Sequence, residues 1–385
     1  MNEFDFIRRL REQTRSRKPS ARVVTGIGDD ACVVKQSANR DLVVTTDLLM
    51  EGVDFYREAA PARMLGHKAL AVSLSDIAAM GARPFWSLLS IGMPPSIWQN
   101  DFKEEFYKGY FELADQFGVK LTGGDVSQSK EGIVIDSIVL GEVVSESAIL
   151  RSGAQPGDQI YVTGSLGGAA AGLKLIEMGA RLGEAGLASL PRVSQRVNSP
   201  TVIEGSEPGA VATGPLQGSG PTVREGVNPS GADTAELKAI EALLLRQSRP
   251  QPRVGWGIVL GEEQLATAMI DISDGLSSDL AHLCEESNAG ALIDASSLPI
   301  DQDAITLCGR RALDPLMLAL HGGEDFELLF TVRPDEVARL PKRVDGVAIS
   351  RIGEVTDQPG KIRIAEKNRV WDLQAKGFAH FGARA

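Results

Sequence analysis

The sequence predicts an α/β protein with α+β character, built from two domains. The chain has 385 residues, and domains commonly hold about 100–200 residues, which favours two hydrophobic cores. Apolar runs typical of buried strands alternate along the chain with segments of helical periodicity, and this alternation indicates layers of helices and sheets. A stretch containing Pro and Gly at residues 151–158 predicts the boundary between an N-terminal domain, residues 1–150, and a C-terminal α/β domain, residues 151–385.

The individual elements can be predicted in chain order from these patterns. Strands are expected at residues 42–46, 133–144, 159–163, 268–272 and 328–332, and helices at residues 61–80, 101–117 and 276–288. Pro61 supplies the backbone angle of a first helical turn, while Gly118 and Gly290 are placed to end the second and third helices.

One segment of the C-terminal half differs in composition from the rest. Of its 38 residues, 196–233, 7 are Gly, 5 Pro, 4 Ser and 3 Thr, and none is aromatic. Such a segment buries too little apolar surface to offset the entropy lost on ordering. We therefore predict a disordered insertion, and an ordered active-site lid is the alternative.

Composition and charge exclude several classes of function. The 40 Lys and Arg residues against 51 Asp and Glu residues give a formal net charge of −11, so neither a nucleic acid nor a membrane is expected as a partner. Three widely spaced cysteines without a CxxC pair are typical of a reducing cytosol. Neither a signal peptide nor an apolar run long enough for a membrane helix is recognisable, and a cytoplasmic protein is predicted.

Several catalytic motifs are missing from the sequence. It contains no GxxxxGK[ST], GxGxxG, GxSxG or HExxH pattern, and its four histidines stand in unrelated contexts. These absences argue against a P-loop, a dinucleotide fold, a Ser/His triad and a zinc site.

Aspartates at predicted turns and strand ends form the strongest chemical signal. They occur in five segments: GIGDDA at residues 26–31, TTD at 45–47, LSDIAAMGA at 74–82, GGD at 123–125 and DISDG at 271–275. Taken singly, each Asp can be a helix cap or an ordinary turn residue. Asp76 resists that interpretation, because helical spacing places it on the apolar face of Leu65 and Val72, where a carboxylate is costly unless paired or metal-bound. Oxygen ligands without His or Cys indicate Mg²⁺ or Ca²⁺, and Mg²⁺ commonly bridges substrate phosphates.

Two further loops fit phosphate chemistry. Arg151 supplies a guanidinium at a loop containing Gly, and GGED at residues 322–325 adds further acid after two glycines. The GSLGG segment at residues 164–168 opens a helical stretch and is either a phosphate-binding loop or a point of close helix packing.

These motifs, in this order, resemble the thiamine-monophosphate kinase family. The resemblance extends to RSGAQPGD at residues 151–158, GGEDFELLF at 322–330 and KGFAHF at 376–381. It implies direct, Mg²⁺-assisted in-line transfer of the γ-phosphoryl group of ATP to thiamine monophosphate, giving thiamine diphosphate. It also implies the two-domain fold of aminoimidazole-ribonucleotide synthetase, and a homodimer whose N-terminal sheets join into a barrel.

By motif position, the resemblance assigns site residues. The implied ligands of several Mg²⁺ ions are Asp30, Thr45, Thr46, Asp47, Asp76, Asp125, Asp271 and Asp274. The implied ATP-binding residues are Gly124, Asp125, Arg151 and Ser273, and those implied to contact thiamine monophosphate are Asp54, Glu324 and Phe378. A catalytic general base is not expected, because a phosphate acceptor is already ionised near neutral pH.

The departures from the family pattern concern the acceptor. Position 54 is Asp where His is frequent, position 378 is Phe where Tyr or Trp is usual, and position 379 is Ala where Asp is usual. Two alternatives therefore stay open: a related ATP-dependent enzyme of the same fold that acts on another phosphate acceptor, and a non-catalytic protein that binds divalent cations or nucleotides.

Overall fold

The computed structural model describes residues 3–15, 22–183, 188–189, 234–311 and 313–378. The predicted insertion at residues 196–233 lies outside these described residues. The helices are α1 Glu3–Arg15, α2 Ala62–Ala79, α3 Pro95–Trp98, α4 Phe102–Phe117, α5 Gly168–Glu177, α6 Thr234–Ser248, α7 Val254–Glu262, α8 Leu276–Glu286, α9 Gln302–Arg311 and α10 Pro315–His321.

Most of the strands form one large sheet in each half of the chain. They are β1 Val23–Thr25, β2 Cys32–Lys35, β3 Arg40–Met50, β4 Arg83–Met93, β5 Lys120–Gln128, β6 Val134–Val144, β7 Gln159–Thr163, β8 Arg181–Leu182, β9 Ala188–Ser189, β10 Ala268–Asp271, β11 Gly290–Asp294, β12 Leu328–Val332, β13 Arg343–Val344, β14 Val347–Thr356, β15 Ile362–Glu366 and β16 Arg369–Asp372. The N-terminal sheet has the order β1-β2-β3-β6-β4-β5, with the edge strand β5 parallel to β4. The C-terminal sheet has the order β10-β12-β7-β14-β11-β15-β16, with β13 beside β14, while β8 and β9 form a separate pair.

Helices cover one face of the N-terminal sheet, and the two halves share apolar packing. The largest buried cluster joins strand and helix residues of the N-terminal half to Trp256 and Phe330 of the C-terminal half, and a second cluster fills the C-terminal layers. The predicted mixed α/β architecture is confirmed. Among the described residues, no helix has the length and apolar character needed to cross a bilayer.

Several element predictions are confirmed with small shifts at their ends. Strands β7 and β12 have the predicted bounds, because each is a short apolar run that is buried nearly throughout. Helix α2 begins directly after Pro61. Helix α4 ends at Gly118, whose φ of 70° is the left-handed conformation that glycine adopts without strain.

Two predictions about acidic segments were wrong. The strand predicted at residues 42–46 extends over Arg40–Met50, so Thr45 and Asp47 lie in mid-strand. The alternating burial continues through the polar residues, which interrupt the apolar run without ending the strand. The GGD segment is likewise part of β5 and is no turn.

Glycines allow α2 and α4 to cross at backbone contact. A Cβ atom on Gly66 would lie 1.8 Å from the carbonyl oxygen of Phe106, and one on Gly109 would lie 1.7 Å from that of Arg63. Neither helix can accept a side chain there without moving apart. Since α2 carries Asp76, this crossing also fixes the position of a candidate site residue.

Gly109→Ala is expected to destabilise the protein by about 2–3 kcal/mol, because the added methyl group forces the packed helices apart. Urea unfolding followed by circular dichroism measures the change. Gly309→Ala in α9 is the matched control, since no atom lies within 4 Å of the added carbon, and it should be neutral or slightly stabilising. Equal effects of the two substitutions would contradict the packing argument.

Candidate active site

Three of the predicted metal ligands meet in the folded chain. Asp30 lies just before β2, Asp76 lies near the end of α2, and Asp271 is the last residue of β10. Each offers a carboxylate oxygen, and these oxygens all lie within 4.8 Å of one another. We call these three residues the acidic cluster. Their separation in sequence is large, so the cluster exists only because both halves of the chain pack together.

Neighbouring side chains orient the carboxylates of the acidic cluster. The Thr45 hydroxyl donates a hydrogen bond to Asp76. Ser75 Oγ donates to Asp271 Oδ2 at 2.6 Å, and Arg151 Nη2 donates to Asp30 Oδ1 at 2.6 Å. The hydroxyls and the guanidinium fix the directions of the carboxylates while leaving lone pairs free.

Two buried carboxylate oxygens beside these bonds are unsatisfied. Among the described residues, Asp30 Oδ2 and Asp47 Oδ2 have no hydrogen-bond partner. Buried acceptors without a partner are rare and call for an explanation such as a bound ion. Carboxylate and hydroxyl oxygens are the donor set of a hard divalent cation, and these residues therefore fit Mg²⁺.

Burial raises the pKa values of the carboxyl groups. It is the main cause that brings the pKa of Asp271 to about 8 and the pKa of Asp47 to about 6, with neighbouring carboxylates adding to it. The pKa of Asp76 lies well above its usual value for the same reasons. Because these pKa values are raised, a divalent cation that binds the carboxylates competes with protons for them.

Asp29 is a residue whose role sequence reasoning did not assign. Its carboxylate accepts hydrogen bonds at 3.3 Å from the backbone N–H of Arg151. Burial, and next to it the charge of Asp30, raises the pKa of Asp29 to about 7. The paired acids of the GDD segment thus bind the backbone and the side chain of Arg151, respectively.

A cavity of about 610 Å³ adjoins the acidic cluster and contains most of the remaining predicted residues. Its lining includes Asp47, Asp54, Ser273, Asp274, Glu324 and Phe378. The predicted acceptor residues therefore share one space with predicted phosphate and metal residues. Phe378 is 49% exposed, so it is no part of the C-terminal core. Position 379 lies outside the described residues.

The polar lining residues that sequence reasoning missed include Lys68 and Gln247. Lys68 Nζ lies 2.6 Å from Glu324 Oε1, and Gln247 donates to the other carboxylate oxygen of Glu324. A signal for Lys68 was available, since it stands three residues after Leu65 and four before Val72, on the same helical stripe that singled out Asp76.

Two of the predicted ligands outside the acidic cluster, Thr46 and Asp125, lie on the other face of the N-terminal sheet. Thr46 follows Thr45 in β3, so its side chain lies on the opposite face of the sheet, where its hydroxyl donates to Asp136 Oδ1 at 2.7 Å. Asp125 lies on exposed β5 and pairs in register with Ser90, which pairs on its other side with Asp136. These residues are grouped near the outer face of the N-terminal sheet.

Gly124 occupies a position that only glycine can fill. Its φ is 147°, and a Cβ atom there would lie 1.8 Å from the carbonyl oxygen of Leu89 on the neighbouring strand. The glycine therefore sets the close approach of β5 to β4, next to Asp125.

The phosphate-loop alternative for residues 164–168 was wrong. The backbone N–H groups of Gly167 and Ala169 at the start of α5 donate to the buried carboxylate of Asp325, at 2.6 and 3.1 Å. An internal carboxylate thus occupies the position that an anion would take. The close-packing alternative is supported, because a Cβ on Gly167 would lie 2.9 Å from the backbone nitrogen of Ala319.

Comparisons with known proteins agree with this geometry. The family described as AIR synthase related protein, N-terminal domain, matches residues 28–143, and the corresponding C-terminal domain matches residues 210–365. The chain is 33% identical to the thiamine-monophosphate kinase of Escherichia coli (strain K12), over 98% of both proteins, and 30% identical to that of Bacillus subtilis (strain 168), over 99% of this chain and 100% of the relative.

Solved structures also superpose on this chain over nearly its whole length. AaThiL complexed with AMPPCP and TMP superposes with a TM-score of 0.73 at 27% identity, covering 99% of this chain and 97% of that one. Thiamine-monophosphate kinase from Stenotrophomonas maltophilia K279a superposes with a TM-score of 0.66 at 35% identity, covering 95% of this chain and 97% of that one.

Proposed function

The chain belongs to the thiamine-monophosphate kinase family, and from this premise we infer that it transfers the γ-phosphoryl group of ATP to thiamine monophosphate, giving thiamine diphosphate and ADP. The observation that carries the inference is the cavity that joins Asp47 and Asp274 to Glu324 and Phe378, beside the acidic cluster. A relative with the same fold has been solved with AMPPCP and TMP bound. ATP is the co-substrate.

We propose that Mg²⁺ ions are held by Asp30, Thr45, Asp47, Asp76, Asp271 and Asp274, and that Thr46 and Asp125 contribute a ligand group at the outer face of the sheet. Support comes from the unsatisfied Asp30 Oδ2 and Asp47 Oδ2 within the described part of the chain. Mg²⁺ held by these residues would neutralise phosphate charge on the two anionic substrates. The chain lacks a basic excess, which makes such cations the natural counter-charge.

We propose that the nucleotide is bound by Gly124, Asp125, Arg151 and Ser273. Arg151 carries a fixed positive charge next to the acidic cluster, and its Nε is buried with no hydrogen-bond partner among the described residues. A guanidinium N–H in that state suits a phosphate oxygen. The acceptor phosphate needs no general base, so the chain's own residues act by positioning and by charge.

We propose that the acceptor, thiamine monophosphate, is bound by Asp54, Glu324 and Phe378. Thiamine carries a cationic thiazolium ring, to which a carboxylate and an aromatic face are complementary. The backbone N–H of Phe378 donates to the carbonyl oxygen of Asp274 at 3.2 Å, so an acceptor residue is attached directly to a proposed metal-binding loop. Asp54 Oδ2 accepts from the backbone N–H of Met50 at 2.7 Å, which fixes that side chain at the wall of the cavity.

The test of this function is a ³¹P NMR time course with purified protein, ATP, Mg²⁺ and thiamine monophosphate. Thiamine diphosphate and ADP are expected to appear together and in equal amounts. If thiamine monophosphate stayed untouched while ATP phosphorylated another phosphate ester added in its place, the acceptor assignment would be wrong. If no acceptor was phosphorylated, the kinase assignment itself would be wrong.

We also propose that the enzyme is a cytoplasmic homodimer formed through the N-terminal sheets, whose edges join into a barrel. The outer face of this sheet carries exposed apolar residues, with Leu48 at 56%, Trp86 at 47% and Met50 at 43% exposure. Exposed apolar patches on a sheet with an open edge strand are typical of interfaces. The three cysteines, all within the described residues, form no disulfide, as a reducing cytoplasm favours.

Trp86→Glu is expected to weaken the dimer about 30-fold or more, because a charge then replaces a central aromatic contact. Light scattering coupled to gel filtration, over a range of protein concentrations, measures the change. Trp98→Glu is the matched control, since Trp98 has the same 47% exposure but lies in α3, outside the sheet. A monomeric wild type, or equal effects of the two changes, would contradict the interface.

A further inference from the structure

Lys68 is a buried lysine in the wall of the cavity. Its side chain is 4% exposed and projects from α2, whose other residues are mostly buried and apolar. Burying an ammonium group is costly unless it is paired and hydrogen-bonded. Lys68 meets that requirement, since Nζ lies 2.6 Å from Glu324 Oε1 and donates to the carbonyl oxygen of Asp54 at 3.3 Å.

The ammonium group thus contacts two of the residues assigned to the acceptor. Asp54 belongs to the N-terminal half and Glu324 to the C-terminal half. Lys68 therefore ties together the two sides of the acceptor pocket.

Glu324 itself is held from three directions. Its backbone N–H donates to the carbonyl oxygen of Ser273 at 2.7 Å, and its φ of 66° is unusual for a residue with a side chain. Gln247 of α6 donates to one carboxylate oxygen and Lys68 binds the other. A conformation of this kind persists only where the surroundings enforce it, and it is commonly found at ligand-binding sites.

We propose that Lys68 is a positioning residue for the acceptor substrate: it holds the Glu324 carboxylate toward the cavity, where that carboxylate meets a cationic heteroaromatic phosphate ester. The inference rests on the proposed function and deepens it. A carboxylate has about four lone-pair positions, so the bonds to Lys68 and Gln247 leave others for the ligand. Lys68 acts through Glu324 and has no step of its own in phosphoryl transfer.

We predict that replacing Lys68 selectively weakens the interaction with the acceptor substrate. Lys68→Met removes the charge and keeps a long side chain with good helix propensity. Breaking a buried, hydrogen-bonded charge pair is expected to raise the KM for thiamine monophosphate on the order of 30-fold. The KM for ATP and kcat should change by less than about threefold, because the partners of the acidic cluster stay in place.

A double-substitution cycle tests whether Lys68 acts through Glu324. Lys68→Met, Glu324→Gln and the double variant are compared in steady-state kinetics and in calorimetric binding of thiamine monophosphate. If Lys68 works through Glu324, the double variant should match Glu324→Gln alone within about threefold. Independent, multiplying effects would overturn the proposal, and so would a parallel rise of the KM for ATP. Lys108→Met is the control, since Lys108 forms an exposed pair with Glu105 on α4.

Two further measurements distinguish failure of the Lys68 proposal from misfolding of a variant and from failure of the proposed kinase function. Gln247→Ala removes the second partner of Glu324 without a buried charge change, so it tests the same carboxylate if Lys68→Met does not fold. It should also raise the dissociation constant for thiamine monophosphate, and an unchanged constant would count against the proposal. Wild-type turnover tests the kinase function, whereas the ratio of wild-type to variant binding constants tests Lys68 even if turnover is absent.

Discussion

Asp47→Asn is expected to remove most of the turnover while making the Mg²⁺-free protein more stable. Asp47 lines the cavity, and its Oδ2 is buried with no hydrogen-bond partner within the described residues. Asn keeps the shape of the side chain but loses the negative charge that a divalent cation requires. We expect kcat to fall by at least about 100-fold, measured as thiamine diphosphate formed at saturating ATP and Mg²⁺.

The gain in stability follows from the sign of the pKa shift. Burial is the main cause that raises the pKa of Asp47 from 3.8 to about 6. The folded protein therefore holds this proton at pH values where the unfolded chain has released it, and ionisation above pH 6 costs folding free energy. Without Mg²⁺, Asp47→Asn should melt at a higher temperature than the wild type above about pH 7, and the difference should vanish below about pH 4.

Asp335→Asn provides the matched control, because Asp335 has an 80% exposed side chain beside Arg333. It should change neither turnover nor melting temperature. Added Mg²⁺ should raise the melting temperature of the wild type more than that of Asp47→Asn. Near-wild-type turnover of Asp47→Asn would remove Asp47 from the metal site, and a lower melting temperature at high pH would contradict the electrostatic argument.

One member of the acidic cluster, Asp76, was predictable because it breaks a local rule. A carboxylate on the apolar stripe of α2 cannot be explained by capping, so the sequence alone marks Asp76 as a candidate site residue. Strands β7 and β12 were predictable for the opposite reason, since short apolar runs have few alternatives. In both cases the information lies within a few neighbouring residues.

Long-range partners were not predictable in the same way. The contact between Asp325 and the start of α5 spans more than 150 residues of sequence, and nothing local distinguishes a loop closed by a carboxylate from one that binds phosphate. Thr45 and Thr46 have different surroundings because β3 continues to Met50. The polar residues in that stretch interrupt the apolar pattern, so the sequence does not predict the continuation. Motif resemblance assigned both threonines to metal, and only the strand geometry separates them.

Glu327→Gln is expected to destabilise the C-terminal half by about 3–5 kcal/mol, because it leaves a buried guanidinium without its counter-charge. The Glu327 carboxylate is fully buried and accepts hydrogen bonds from Arg253 at 2.5 Å on each oxygen. Thr163 Oγ1 donates to the same carboxylate at 2.7 Å. These contacts join the start of α7 to β7 and β12, so urea unfolding should show a clear loss.

A double replacement isolates the contribution of the unpaired Arg253 charge to the loss of stability. Glu327→Leu with Arg253→Met removes both buried charges, and it should be less destabilising than Glu327→Gln, since no unpaired charge remains. Glu112→Gln is the surface control, because the pair of Glu112 with Arg63 is exposed and solvent screens it, so its unfolding curve should overlay that of the wild type. If the double replacement were the least stable variant, packing and hydrogen bonding at Glu327 would outweigh the cost of the unpaired Arg253 charge. Recovery in the double variant would show that this pair stabilises the fold chiefly because each charge needs the other.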